Sequence, residues 1–331
     1  MSYRLLKHED TGSGYRQESS VKKATFRLLG AIVVVAGVTF LAFLLAHISP
    51  TDPATQYFSD RGVAPTESQL AAVRAEMGLD RPLLEQYFGW VAGLLQGDLG
   101  ESYRNGAPVA ESLAKALPYT LILTSTSMVL TLLIAIPLGL YCAYKKDGIV
   151  DKVTRVITYV FYSLPAFFIA LILLYVLSVR LHVLPVTSEG VVGVIMPTIS
   201  LSLPLSAWYV RQVRTVALEQ IESNYVDGLR SRGISEGSIL FKHVLRNSLV
   251  PILSLVGISI GSLLGGSAIV ECIFGWPGVG NLSVSAINMR DYTVVQGYAL
   301  LMALVYLLVN WVIDILYRVV DPRIGEARAS R

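Results

Sequence analysis

Six long apolar runs dominate the sequence and limit the folds that are open to it. They are Leu28–Ile48, Leu117–Tyr144, Val156–Val179, Val191–Val210, Leu249–Phe274 and Tyr298–Val320. A helix that crosses the hydrocarbon core of a bilayer needs about 20 mostly apolar residues. The runs therefore predict an all-α integral membrane protein with six transmembrane helices. A soluble protein is excluded, because 15% of the residues are charged, against about 25% in soluble globular domains.

The distribution of Lys and Arg predicts the orientation of these helices, because cytoplasmic loops of membrane proteins carry an excess of both. Segments on one side of the membrane hold 20 of the 27 Lys and Arg residues, with Arg318 at the end of the sixth run included. Segments on the other side hold seven. Both termini are therefore predicted to be cytoplasmic, which an even number of spans requires.

The segments between the runs differ in character. Residues 1–27 and 321–331 are predicted to be cytoplasmic tails. Residues 49–116 are predicted to form a partly helical extracytoplasmic segment. Thr66 and Gln69 have the spacing of a capping box at a helix start, and a second helix is predicted from Pro82 to Leu95 with one apolar face. This face is suited either to packing on the membrane or bundle surface or to docking an external partner.

The segment 211–248 is the most informative loop, because a basic loop of this length indicates a bound cytoplasmic partner. Its pattern is a short helix, a glycine break at Gly233, and a second helix with Ser235 as a candidate cap that continues into the fifth run. A short helix that ends in a tight turn forms a rigid knob, which can transmit motion between a partner and the membrane helices. An ordinary basic loop is the alternative.

Motifs in this loop and elsewhere resemble those of bacterial ABC importer permeases of the peptide/nickel group. The matching loop residues are Tyr225, Val226, Arg230, Arg232 and Gly233, followed by Lys242, His243, Leu245, Arg246, Asn247 and Pro251. Outside the loop the resemblance rests on stretches that include Ser163-Leu164-Pro165, Glu271 to Gly280 with Trp276-Pro277-Gly278, and Arg290-Asp291-Tyr292. It implies a type I importer permease fold with its core at residues 113–317.

The resemblance also implies the partners of this chain. They are a homologous second permease subunit, two cytoplasmic ATPase subunits, an extracytoplasmic substrate-binding protein and membrane lipid, with no nucleic acid. The chain would bind no cofactor and would not be an enzyme, because it lacks a Walker-type loop and ATP with Mg²⁺ would sit on the ATPases. The residues expected to couple to the ATPase are Tyr225, Val226, Asp227, Gly228, Arg230, Arg232, Gly233, Ile234, His243, Arg246 and Asn247.

Candidates for the translocation pathway are polar or kinked positions within the apolar runs, since such positions usually face a cavity rather than lipid. They are Ser163, Pro165, Ser200, Ser202, Pro204 and Glu271. The serines would otherwise bond carbonyls of their own helices, and Glu271 would otherwise cap the turn that follows it. The expected external mouth consists of Trp276, Pro277, Gly278, Arg290 and Asp291.

Other site types and functions have less support. No histidines have the spacing of a helical metal site, but His47 and His182 both lie near the external boundary and could meet around a metal. The transported substrate is left open between peptides, opine-like compounds and nickel or other metal chelates. An ion-coupled secondary carrier and a non-transporting membrane receptor or structural subunit are the alternatives to an importer subunit.

Overall fold

A computed structural model describes residues 29–44, 48, 52–59, 62–187, 190 and 192–320. The predicted tails 1–27 and 321–331 lie outside these residues, as does His47. Thirteen α-helices occur in the described part of the chain, and no strand is present there. They are α1 Leu29–Leu44, α2 Pro53–Ser59, α3 Glu67–Glu76, α4 Leu83–Leu95, α5 Val109–Tyr144, α6 Ile149–Ser163, α7 Ala166–Leu173, α8 Ile195–Ile221, α9 Asn224–Ser231, α10 Glu236–Ser238, α11 Leu245–Phe274, α12 Val279–Asn288 and α13 Tyr292–Val320.

Four continuous helical segments are long and apolar enough to cross a membrane. They are Val109–Tyr144, Val192–Ile221, Glu236–Phe274 and the described part of α13, Tyr292–Leu316. The helices Ile149–Ser163 and Ala166–Arg180 form a bent pair, which is long and apolar enough for a fifth span only when the two are taken together. The described part of the first run, α1, is a shorter apolar helix. The sixth span therefore stays a prediction.

The third apolar run is not one straight helix, as the sequence had suggested for Val156–Val179. Its two halves meet at an angle of 95°, with Leu164 extended between them at ψ 126°. Pro165 follows, and a proline disfavours helical backbone at the preceding residue and supplies no amide donor. The second half ends in a π-helical turn, Leu174–Arg180.

The segment 211–248 is also more regular than expected. Helix α8 continues eleven residues past Val210 to Ile221. The second helix begins at Glu236, directly after Ser235, and leads into the fifth run, as the sequence predicted. A π-helical stretch, Ile239–Val244, joins α10 to α11. The true non-helical breaks are therefore confined to the residues on either side of α9.

Helices α5 and α8 form the most extensive helix pair of the bundle. They approach closely at Gly139, where an added Cβ atom would lie 2.8 Å from Cβ of Val213. One apolar cluster around Tyr209 and Phe274 fills the centre of the bundle. A second cluster, around Val213 and Val226, lies beside α9, and a third packs Val109 and Leu113 against α12 and α13.

The segment 49–116 contains the helices that the sequence predicted. The Thr66 side chain accepts a hydrogen bond from the Gln69 amide, and the Gln69 side chain accepts one from the Thr66 amide. The capping box is therefore confirmed. Gly78 follows the end of α3 with φ +67°. Helix α4 begins directly after Pro82.

Candidate functional site

Helix α9 forms the short knob. We call its buried side the root and its exposed side the crown. Val226 is fully buried and packs in the cluster that contains Val213, Ala217 and Ile239. Asn224, Tyr225, Asp227 and Gly228 are exposed. The helix begins after Ser223, whose extended backbone occupies the N-cap position. The knob is therefore fixed to the bundle through one apolar side and presents a polar surface on the other.

The end of α9 is a tight turn that depends on Gly233. The Gly233 amide donates to the Arg230 carbonyl at 2.9 Å, and the Ile234 amide donates to the Leu229 carbonyl at 3.2 Å. This bond pair is the Schellman motif, which places a left-handed residue after the helix. Gly233 has φ +75°, and a Cβ atom there would meet nothing within 4 Å. The requirement for glycine is thus conformational and not steric.

Arg230 ties the knob to the following helix. Its Nε donates to Oε1 of Glu236 at 2.8 Å, and a second nitrogen lies 3.3 Å from Oδ1 of Asp227. The hydrogen bonds to Glu236 raise the pKa of Arg230 above its ordinary value. Ser235 occupies the N-cap position of α10, as expected, but its side chain makes no capping bond.

The remaining residues predicted to couple to an ATPase surround the knob. Arg232 and Gly233 are exposed in the turn, whereas Ile234 is half-buried. His243 is half-buried in the π-helical stretch, and Arg246 and Asn247 are exposed in the first turn of α11. The structure therefore separates two residues that root the knob, Val226 and Ile234, from residues whose side chains are open to a partner.

A buried ion pair that the sequence analysis missed joins α6 to the part of α8 that precedes the knob. Arg214 of α8 donates two bonds to the Asp151 carboxylate of α6, at 2.6 and 2.7 Å. Arg155 and the Asp147 amide donate to the same carboxylate at 3.1 and 3.0 Å. The Asp151 side chain is 1% exposed. No local signal pairs Asp151 with Arg214, because 63 residues separate them.

Two further contacts join the same region. Lys146, after α5, bonds Glu222, at the end of α8, at 2.7 Å, and this bond raises the pKa of Lys146. The guanidinium of Arg211 lies over the ring of Tyr162 at 4.5 Å. The end of α8 that leads into α9 is thus fixed by α5 and α6 through charged and aromatic contacts.

The candidate pathway residues occupy two environments. Ser163 and Pro165 are exposed at the bend of the third run, and the Ser163 hydroxyl donates to the Tyr159 carbonyl. Ser200 and Ser202 are fully buried, and each hydroxyl donates to a carbonyl of its own helix. Pro204 lies half-buried within α8.

Glu271 is fully buried and anchors the loop between α11 and α12. One oxygen accepts bonds from Thr120 at 2.8 Å and Ser267 at 3.1 Å, and the other accepts from the Asn281 amide at 2.9 Å. A Cβ atom on Gly278 would lie 2.5 Å from this second oxygen. Of the two roles considered for Glu271, this geometry favours the cap of the following segment.

The other residues of the expected external mouth lie beside this loop. Trp276 is buried and donates from Nε1 to the Tyr119 carbonyl at 2.9 Å. Pro277 and Gly278 line an open cleft of about 360 Å³ together with Lys115. Because α5 and the α11–α12 loop form its two sides, a movement of either would change its width.

Arg290 and Asp291 form the junction between α12 and α13. Arg290 has a left-handed backbone with φ +55°. Asp291 is buried and accepts bonds from the Ser102 hydroxyl at 2.5 Å and the Tyr103 amide at 3.2 Å. Burial raises the pKa of Tyr103. Asp291 thus holds the segment that contains Ser102 and Tyr103 against the start of α13.

The expected meeting of His47 and His182 around a metal stays a prediction, because His47 lies outside the described residues. His182 is exposed and has a left-handed backbone with φ +53°. In the described part of the chain, no group of three or more His, Cys, Asp or Glu side chains is placed to hold a metal ion.

Comparisons with known proteins give consistent matches. Residues 135–326 match the family described as "Binding-protein-dependent transport system inner membrane component", and residues 22–124 match its N-terminal counterpart. The probable peptide ABC transporter permease y4tP of Sinorhizobium fredii is 35% identical over 90% of this chain and 97% of its own length. The nickel import system permease NikB of Staphylococcus aureus is 36% identical over 92% of each chain. The glutathione transport system permease GsiC of Salmonella typhi is 36% identical over 90% of this chain and 97% of its own.

A solved structure agrees at the level of the fold. A chain of the methionine ABC transporter MetNI, in an inward-facing conformation, superposes with a TM-score of 0.55 at 20% identity, covering 63% of this chain and 96% of that chain. Together with the family match, this likeness confirms the predicted all-α, type I importer permease fold.

Proposed function

Because the chain belongs to the family of binding-protein-dependent transport system inner membrane components, we propose that it forms half of the pathway of an ATP-driven importer. The other half is a homologous permease subunit. Two ATPases at the cytoplasmic face hold ATP and Mg²⁺, and an extracytoplasmic binding protein delivers the substrate. The chain lies in the bacterial inner membrane with both termini in the cytoplasm.

The observation that carries this proposal is the construction of α9. A helix of eight residues has a fully buried root at Val226 and an exposed crown that includes Tyr225 and Asp227. The Gly233 turn and the Arg230–Glu236 bonds fix it to the helix that continues as α11. A rigid projection of this kind transmits displacement, whereas a flexible loop absorbs it.

The coupling follows from these contacts. ATP binding closes the ATPase pair and moves the crown of α9. Val226 passes the displacement to α8 and α11, because it packs on residues of both adjoining helical segments. The bundle then opens outward to receive substrate, and hydrolysis returns it to the inward-open state. Such a cycle requires that the knob contact the ATPase differently in its two states.

Small peptides, glutathione included, or nickel complexes are the proposed substrates, by analogy with the relatives. Uptake of labelled nickel, glutathione and dipeptides by cells that lack this chain, and by complemented cells, separates these classes. An importer loses uptake in vanadate and keeps it in an uncoupler. An ion-coupled carrier shows the opposite response, and a receptor shows no uptake defect on deletion.

Gly233→Ala tests the coupling role. Left-handed backbone costs a residue with a side chain roughly 1–2 kcal/mol, so the turn is expected to rearrange while the bundle still folds. In proteoliposomes that contain the complete importer, we expect substrate uptake per ATP hydrolysed to fall several-fold. Gly237→Ala is the matched control, because Gly237 is helical, has no left-handed backbone, and an added Cβ atom there meets nothing within 4 Å. An assembled Gly233→Ala importer with the wild-type ratio would refute the proposed lever.

A further inference from the structure

Helix α4 of the external segment is anchored on α1 by Tyr87. The Tyr87 hydroxyl lies 3.2 Å from Oγ1 of Thr39 and donates to the Ala36 carbonyl at 3.4 Å. Its ring packs edge-on against Phe40 and Phe43, with centroids 5.3 and 5.4 Å away. Tyr87 is buried as a result. One side of α4 is therefore seated on the middle of α1.

The contact lies deep in the first apolar run. Ala36 lies seven positions after Leu29 and eight before Leu44, the two ends of the described helix α1, so it is at least about 10 Å from either end at 1.5 Å per residue. The hydrocarbon core is about 30 Å thick. A side chain of α4 that reaches this carbonyl brings its helix below the membrane surface, whichever end of α1 is external.

Beside Tyr87, α4 carries an apolar stripe that is largely exposed. Leu84, Phe88, Val91 and Leu95 have the spacing i, i+4, i+7 and i+11, which aligns them on one helix face. Leu84, Phe88 and Leu95 are 62%, 64% and 84% exposed. The charged residues Arg81 and Glu85 pair with each other near the start of the helix. The stripe thus offers a partner neither charge nor hydrogen-bonding side chains.

We propose that α4 lies in the outer leaflet and that this stripe contacts lipid acyl chains. The outward residues of α1 next to the contact, such as Leu41 at 57% exposure, are apolar as well, so the stripe extends the surface that α1 presents to lipid. A docking face for the hydrophilic binding protein would need polar groups to fix orientation. The depth of the Tyr87 anchor and the composition of the stripe both select lipid.

Photo-crosslinking in cells that express the complete importer tests this assignment. We expect Phe88→p-benzoylphenylalanine to give a phospholipid adduct on this chain, identified by mass spectrometry after illumination. The same replacement at Ala72, an exposed position on α3, is the matched control and is expected to give no lipid adduct. An adduct from position 88 to the binding protein or to the second permease subunit, or no adduct at all, would overturn the proposal.

The result is independent of the coupling mechanism. Uptake by the Phe88 variant shows whether the importer is intact when the crosslink is read. If uptake never depends on this chain, the proposed transport function fails while a lipid adduct still supports the position of α4.

Discussion

Replacing Asp151 with asparagine is expected to destabilise strongly the end of the bundle where α6 meets α8. The carboxylate accepts four bonds, two of them from Arg214, and its side chain is 1% exposed. The asparagine amide presents one acceptor and one donor group in their place. Arg214 then stays in the structure without its counter-charge.

The magnitude follows from the burial of the two partners. Breaking a buried ion pair by removing one partner costs about 3–5 kcal/mol. Because the Arg214 side chain is 22% exposed, water screens it in part, and the lower end, about 3 kcal/mol, applies. The shift in melting temperature per kcal/mol falls with chain length and is about 2–4 °C for 150–250 residues. Because this chain has 331 residues, a fall of no more than roughly 6 °C is expected.

The assay is the temperature at which the purified importer loses its size-exclusion peak after heating in detergent. Lys146→Gln is the matched control, because it removes an ion pair in the same region whose two side chains are both exposed. This control variant should leave the temperature unchanged. The double variant Asp151→Asn/Arg214→Gln should lose less than the sum of the single variants, since it also removes the unpaired charge. If the Asp151→Asn importer loses its peak at the same temperature as the Lys146→Gln importer, the Asp151–Arg214 pair does not stabilise α8 and the prediction is wrong.

The loop between α11 and α12 gives two further predictions, which are measured by the same assay together with uptake. Gly278→Ala should prevent normal assembly, because the added Cβ atom would lie 2.4 Å from Oγ1 of Thr120. Gly265→Ala is the control and should be tolerated, because a Cβ atom there meets nothing within 4 Å. Equal stability and uptake of the two variants would contradict the loop geometry. Glu271→Ala should lower stability by at least about 3 kcal/mol, since three donors lose their acceptor at about 1–3 kcal/mol for each buried group left unpaired. Glu271→Gln should lose less. A Glu271→Ala importer of normal stability but without uptake would instead place this side chain in the pathway.

The local features of this protein can be read from its amino-acid order. Apolar runs longer than a bilayer requires fixed the helical class, and turn chemistry fixed the capping box at Thr66 and the turn at Gly233. The motifs around Tyr225 and Trp276 indicated the family. These features are readable because each depends on residues within one or two helical turns of one another.

The tertiary structure alone decided how distant residues meet. Asp151 and Arg214 pair across 63 positions, and Thr120 and Glu271 pair across 151. The continuation of α8 beyond its apolar run and the seating of Tyr87 on α1 depend on the same kind of long-range packing. A charged or polar residue in a sequence shows that a partner is required. Only the arrangement of the helices shows which residue supplies it, because no local pattern records which helix faces which.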